Sequence, residues 1–176
     1  MKRRTFLKSL GSLFLITPMF GLSKETKKTK QLKLNDFYTG KKIIISYRED
    51  GNYTDNEIEE INYFFKDRRT KEVKEMDLEL LNLLNNIYQK SGSNEYINII
   101  SAFRSKKTNK MLRKTTNGVS KRSLHMEGKA LDINIPGVKL SKLNRIAKRE
   151  KIGGVGFYPN SKFIHIDTGR VRSWVG

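Results

Sequence analysis

Apolar and polar positions along the chain fall into strand-like and helix-like runs, and the changes between them lay out the elements. LKLNDFY and KIIISYRE bracket Thr39 and Gly40, which predicts a β-hairpin. TDNEIEEINYFFKD then takes up helical spacing, with Ile58, Ile61 and Phe65 on one face and Thr54 and Glu57 set as a capping box. A second helix is expected from Asp77 to Lys90, where Leu80, Leu84, Ile87 and Tyr88 form the apolar face and Gly92 lies just past the end. YINIIS, residues 96–101, reads as a buried strand that runs into AFRSKKTN and a short helix over Lys106 to Lys114. After a loop rich in Thr, Asn, Gly and Ser, KALDINI reads as a strand closed by Pro136 and Gly137. Leu143, Ile146 and Ala147 mark a further helix, and Gly153, Gly154 and Gly156 punctuate the approach to two short strands, GFY and FIHID. Helices come early and most strands late, which predicts an α+β fold with a small antiparallel sheet flanked by helices. There is no internal repeat and no sign of a second domain.

Length and composition narrow what such a fold can do. A chain of 176 residues holds one domain plus appendages. Cysteine is absent, so disulfides, thiolate nucleophiles and cysteine metal ligands are excluded, and any metal must be held by His, Asp, Glu or water. The net charge of +18 implies a polyanionic neighbour, whether nucleic acid, anionic lipid or an acidic cell wall.

The first residues choose among these. MKRRTFLKSL followed by GSLFLITPMFGLS has the basic and short apolar regions of an export signal, too short for a membrane span. Arg3 and Arg4, followed by Thr5, Phe6, Leu7 and Lys8, resemble a twin-arginine export signal. Gly21 and Ser23 suit cleavage after Ser23; an uncleaved signal anchor is the alternative. Losing residues 1–23 removes Lys2, Arg3, Arg4 and Lys8 and no acid, taking +18 to +14, so the basic character belongs to the exported part. KETKKTKQ, residues 24–31, reads as a flexible basic tether, leaving 32–176 as the single domain. The expectation is a monomer in the periplasm or cell envelope that meets the membrane only transiently during export. An envelope polymer is then a better partner than nucleic acid.

The candidate chemistry lies in SLHMEGKALDI. The chain has two histidines only, His125 in this run and His165 in FIHID. A mononuclear zinc site needs about three protein ligands and an open position for water, and His125, Asp132 and His165 are the economical set. Alternation puts Ala130, Asp132 and Asn134 on one face of KALDINI, and Phe163, His165 and Asp167 on one face of FIHID. If the two strands pair, Asp132 and His165 converge. On spacing alone, a hydrogen-bonded structural role for these side chains competes with metal binding.

Ser123, His125, Gly128, Ala130 and Asp132 form an S-x-H-x-x-G-x-A-x-D pattern that resembles the signature of the lysostaphin, D-Ala-D-Ala metallopeptidase and sonic hedgehog group of zinc peptidases. The ordered run SAFRS, TNKMLR, SLHMEGKALDI, GGVGFYP and FIHIDTGRVRSW is similar to the YcbK-like murein endopeptidases, over most of the chain from the hairpin onward. The resemblance implies a peptidoglycan hydrolase that cuts amide bonds in cross-linked peptide stems, with one Zn2+ per chain held by His125, Asp132 and His165. Related zinc peptidases often carry a Glu or a second His just before the last ligand, where this chain has Lys162, Phe163 and Ile164. Asp167 is therefore the candidate base, with support of a ligand as its rival role, and Glu127 is a weaker candidate. Arg104 resembles the family arginine placed to stabilise the developing oxyanion. Ser123 would bind substrate or orient the loop, and Tyr158, Arg170, Arg172 and Trp174 would line the peptide groove, with packing at the chain end the alternative for Trp174. Three other readings stand beside this one: a D-Ala-D-Ala-type carboxypeptidase, a metal-free wall-binding domain, and a nucleic-acid binder supported by charge alone. A divalent ion other than zinc is the alternative within the metal reading.

Overall fold

The structure, a computed structural model, describes residues 29–48, 53–116 and 118–176. The leader expected over residues 1–23 and the start of the tether lie outside these residues. The end of the tether does not, because β1 (Thr29–Asp36) begins three residues inside it. Thr29 pairs with Arg48 at the far end of β2 (Lys42–Arg48), so ladder hydrogen bonds order residues whose composition alone reads as linker. The chain continues through α1 (Asp55–Phe64), α2 (Leu78–Ser91), β3 (Ile97–Ser101), α3 (Lys106–Thr115), a 3-10 turn (Leu124–Glu127), β4 (Ala130–Asn134), α4 (Leu140–Glu150), β5 (Gly154–Tyr158), β6 (Phe163–Asp167) and β7 (Arg172–Val175). The expected capping box is present: the Thr54 hydroxyl accepts from Glu57 N–H, and the Glu57 carboxylate accepts from Thr54 N–H at 2.7 Å.

The fold is α+β, but the sheet is neither small nor purely antiparallel. It has seven strands in the order β2-β1-β3-β4-β6-β5-β7, with β1–β3 and β5–β7 parallel and the other neighbours antiparallel. The expectation missed this for two reasons. The β1–β3 pairing is made across the whole of α1 and α2, as a parallel pair requires, and no local pattern encodes it. β7 is only RSWV, too short and mixed to register as a strand until β5 offers it an edge.

Strand alternation divides the sheet into two unlike faces. Leu32, Leu34, Ile97, Ile133, Ile164 and Ile166 point to one side and form a single buried cluster with the apolar faces of α2 and α4. The opposite face is polar. On it Asn35 donates to Asn98 at 2.7 Å, Asn98 to Asn134 at 2.9 Å, and Asn134 to the Lys162 carbonyl at 2.8 Å.

Asp67 fixes the segment that follows α1. Its carboxylate is 1% exposed and accepts from the backbone N–H groups of Arg69, Thr70 and Ser105 at 2.8, 3.1 and 2.6 Å, tying this turn to the N-cap of α3. Burial opposes the charge, yet the donors hold the carboxyl down at about 2, against an ordinary 3.8. Because the folded value is depressed, the stabilisation is present above 3.8 and is lost as pH falls through about 2. Asp67→Asn is expected to cost about 1–2 kcal/mol at pH 7, the linkage value reduced for solvent screening. Denaturant midpoints of the two proteins should converge towards pH 2; a gap of unchanged size would show that ionisation of Asp67 is not its source.

Candidate metal centre and cleft

Three segments meet on the polar face. The first is the SLHMEG turn, whose 3-10 helix ends at Gly128 in the left-handed region (φ 72). A Cβ on Gly128 would collide with the Glu75 carbonyl oxygen, so this turn packs backbone to backbone against the approach to α2. The Gly128 carbonyl accepts from Asp77 N–H at 3.0 Å, and the His125 carbonyl accepts from Arg104 N–H at 3.1 Å. These bonds set the backbone of His125 against α2 on one side and the end of β3 on the other. The other two segments are β4 and β6, whose antiparallel register places Asp132 directly opposite His165.

The side chains converge tightly. His165 Nδ1 lies 2.9 Å from Asp132 Oδ1, and His125 Nε2 lies 3.3 Å from each of these atoms. His125 Nδ1 donates to the Ala102 carbonyl at 2.8 Å, which leaves its Nε2 bare and aimed at the cluster. His165 Nε2 donates to Asp167 Oδ2 at 2.9 Å, which turns its Nδ1 inward in the same way. Three lone-pair atoms thus face one another, an arrangement that needs a cation or a shared proton between them. Four-coordinate zinc with donors at about 2.0–2.1 Å holds them roughly 3.3 Å apart, the separation found in two of the three pairs. Two imidazoles and one carboxylate also match zinc's preferred donors, so the residues present fit the ion.

The electrostatics agree with ligand chemistry. Burial pushes the His125 imidazole towards its neutral form, and the Arg104 cation adds to this despite the opposing pull of Asp132. Burial would raise the Asp132 carboxyl, but the imidazoles of His125 and His165 hold it well below the usual carboxylate range. His165 is opposed by burial and raised overall by its bonds to Asp132 and Asp167.

Two more residues brace the set. Arg104 donates from NH2 to Asp132 Oδ2 at 2.6 Å and from Nε to Ser101 Oγ at 2.7 Å, so the two oxygens of Asp132 have separate tasks. Asp167 is fully buried and accepts from five donors: His165 Nε2, Gly154 N, Gly169 N, and both NH1 and NH2 of Arg172. These donors outweigh burial and hold its carboxyl well below the usual range. An anion so saturated has little capacity left to take a proton from the cleft.

The cluster lies in a cleft of about 860 Å3 that Ser123, Tyr158, Arg104, Arg172 and Trp174 also line. The Trp174 ring centroid lies 5.3 Å from that of His165, and Trp174 Nε1 donates to Tyr158 Oη at 2.8 Å. Gly156 makes this possible, since a Cβ there would come within 2.7 Å of the indole. Arg170, expected in the groove, is exposed and does not line the cleft; Arg172 does, because β7 pairs it with Gly154 beside Asp167. Glu127 is also turned away, 55% exposed and 3.7 Å from Lys129. The sequence reading missed the Ala102 carbonyl and the Gly154 and Gly169 N–H groups, which as backbone atoms leave no trace in residue identity.

Comparison with known proteins places the chain in a family of peptidases. The family described as peptidoglycan L,D-endopeptidase MepK matches residues 24–174, and the chain belongs to it. The peptidoglycan L,D-endopeptidase MepK of Escherichia coli (strain K12) is 37% identical over 166 residues, covering 94% of this chain and 91% of its own. The probable peptidoglycan L,D-endopeptidase MepK of Haemophilus influenzae is 38% identical over 152 residues, covering 86% of this chain and 82% of its own. No solved structure gives a significant match.

Proposed function

We propose that the chain is a zinc-dependent peptidoglycan endopeptidase that hydrolyses an L,D amide bond in the peptide cross-links of the cell wall. The observation that carries this reading is the convergence of His125 Nε2, Asp132 Oδ1 and His165 Nδ1 in an open cleft, in a chain whose relatives bear that activity in their names. Residues 1–23 act as the twin-arginine-type leader, and the single domain works as a monomer in the periplasm or cell envelope. Its basic surface favours a wall rich in carboxylates.

His125, Asp132 and His165 hold the ion. When bound, zinc supplies Lewis acidity, making a water acidic near pH 7 and polarising an amide carbonyl. The protein's part is orientation. The Ala102 carbonyl and Asp167 fix the imidazole tautomers, and Arg104 keeps one Asp132 oxygen turned inward. Among the described residues Arg104 NH1 makes no hydrogen bond, and Arg104 lines the cleft. That N–H edge is the donor for the carbonyl oxygen as negative charge develops on it. Asp167 acts as a positioning residue and not as the base, given its five donors. Asp167→Asn is expected to lower zinc affinity about 10- to 100-fold, measured by competition with a chromophoric chelator. Unchanged affinity would return the base role to Asp167.

The function is tested by digesting cross-linked muropeptide dimers and weighing the products by mass spectrometry. Monomers whose masses place the break at an L,D bond are expected. Intact dimers that have lost terminal D-alanine would give the carboxypeptidase reading instead, and intact dimers that stay bound to the protein would give the wall-binding one.

A further inference from the structure

The cleft carries more positive charge than its internal pairing uses. Its side-chain carboxylates are Asp36, Asp67, Asp132 and Asp167, and the last three are buried with their oxygens taken by donors. Asp36 spends Oδ1 on the N–H groups of Tyr38 and Thr39 at 2.9 and 3.0 Å. Among the cations, Arg104 and Arg172 pair with Asp132 and Asp167. Lys66, Arg68, Arg69 and Arg122 also line the cleft and have no ion-pair partner among the described residues.

Arg68 differs from the other three. Its guanidinium carbon lies 3.7 Å from the Tyr38 ring centroid, a cation–π contact that seats the head group over the aromatic face. Its side chain makes no hydrogen bond among the described residues. The turn that carries it is the one Asp67 pins to α3, so the position of Arg68 is set by a buried anion and its orientation by an aromatic face. Lys66 instead lies over the Tyr63 ring at 3.4 Å, and Arg69 and Arg122 are exposed. A half-buried guanidinium seated over a ring, with no acid of its own, has its fork of donors free for a planar anion, which it can bind in bidentate fashion.

We propose that Arg68, seated over Tyr38, is a receptor for a free carboxylate of the peptide stem, and that it makes this enzyme prefer substrates whose carboxylate is not amidated. The inference rests on the endopeptidase reading for the identity of the substrate. Arg68 acts as a specificity residue away from the ion, so its effect falls mainly on KM.

The test compares two synthetic cross-linked dimers, one with free stem carboxylates and one with these converted to primary amides. Wild type is expected to favour the free carboxylate by about tenfold or more in kcat/KM, the range of a charge-assisted bidentate contact. Arg68→Gln should erase the preference through a rise in KM, and Arg68→Lys should restore part of it, since charge without the planar fork recovers only part of the contact. Equal losses on both dimers, or an unchanged preference, would overturn the proposal. Binding of the same dimers to His165→Ala protein, with and without Arg68→Gln, reads the receptor without catalysis. If wild type cleaves neither dimer, the endopeptidase reading falls while this binding comparison still decides the receptor. A carboxylate preference that survives Arg68→Gln there sinks it, and one that disappears supports it.

Discussion

Asp132→Asn is expected to lower kcat/KM on cross-linked muropeptides by at least about 10^3-fold and to abolish tight zinc binding. The loss of metal assistance worth several kcal/mol sets that scale. The substitution changes one atom, and the site has no tolerance for it. Oδ1 faces two bare imidazole nitrogens at 2.9 and 3.3 Å, and Oδ2 accepts the Arg104 guanidinium at 2.6 Å. An amide placed with its oxygen inward turns NH2 against the Arg104 donors. Placed the other way, it presents N–H groups where a cation needs a lone pair. Either orientation also leaves a mostly buried guanidinium without its counter-charge. Zinc content and turnover should therefore fall together; an asparagine variant that keeps both would remove Asp132 from the ligand set.

Gly128→Ala is expected to destabilise the fold by about 3 kcal/mol, a drop in Tm of about 10 °C for a domain of this size, and to take activity with it. Two costs add at this position. The backbone is left-handed at φ 72, and the new methyl group meets the Glu75 carbonyl oxygen. Relief requires the SLHMEG turn to move away from α2, and His125 moves with it, because the Gly128 carbonyl is bonded to Asp77 N–H. Gly92→Ala is the control. Gly92 is also left-handed at φ 70 but has nothing within 4 Å of a Cβ, so only the conformational cost of about 1 kcal/mol remains. Equal Tm losses in the two variants would show that the close approach to Glu75 carries no cost.

Local pattern was informative where local physics decides. The capping box, the apolar faces of α2 and α4, and the alternation that sets Asp132 and His165 on one sheet face all follow from residue types at fixed spacing. What pattern cannot supply is the partner of each strand. The parallel pairings of β1 with β3 and of β5 with β7 are made between segments distant in sequence, and both were missed. Of the two arginines expected in the groove, only Arg172 lines the cleft, and the reason is the same. The two arginines are indistinguishable in the sequence until the register of β7 opposite Gly154 brings one of them onto Asp167. Asp167 shows the limit for a single residue: its place on the strand face beside His165 was legible, whereas its five donors come from the β5 backbone, the loop after β6 and the side chain of Arg172.

On the proposed reading, one metal ion at His125, Asp132 and His165 enables hydrolysis of peptidoglycan cross-links. Titrating zinc into chelator-stripped protein, while following cleavage of muropeptide dimers, tests it most directly. Activity is expected to rise with added zinc and to break at one equivalent per chain, while His125→Ala and His165→Ala proteins stay flat throughout. Full activity in the stripped protein, or intact dimers after zinc loading, would contradict it.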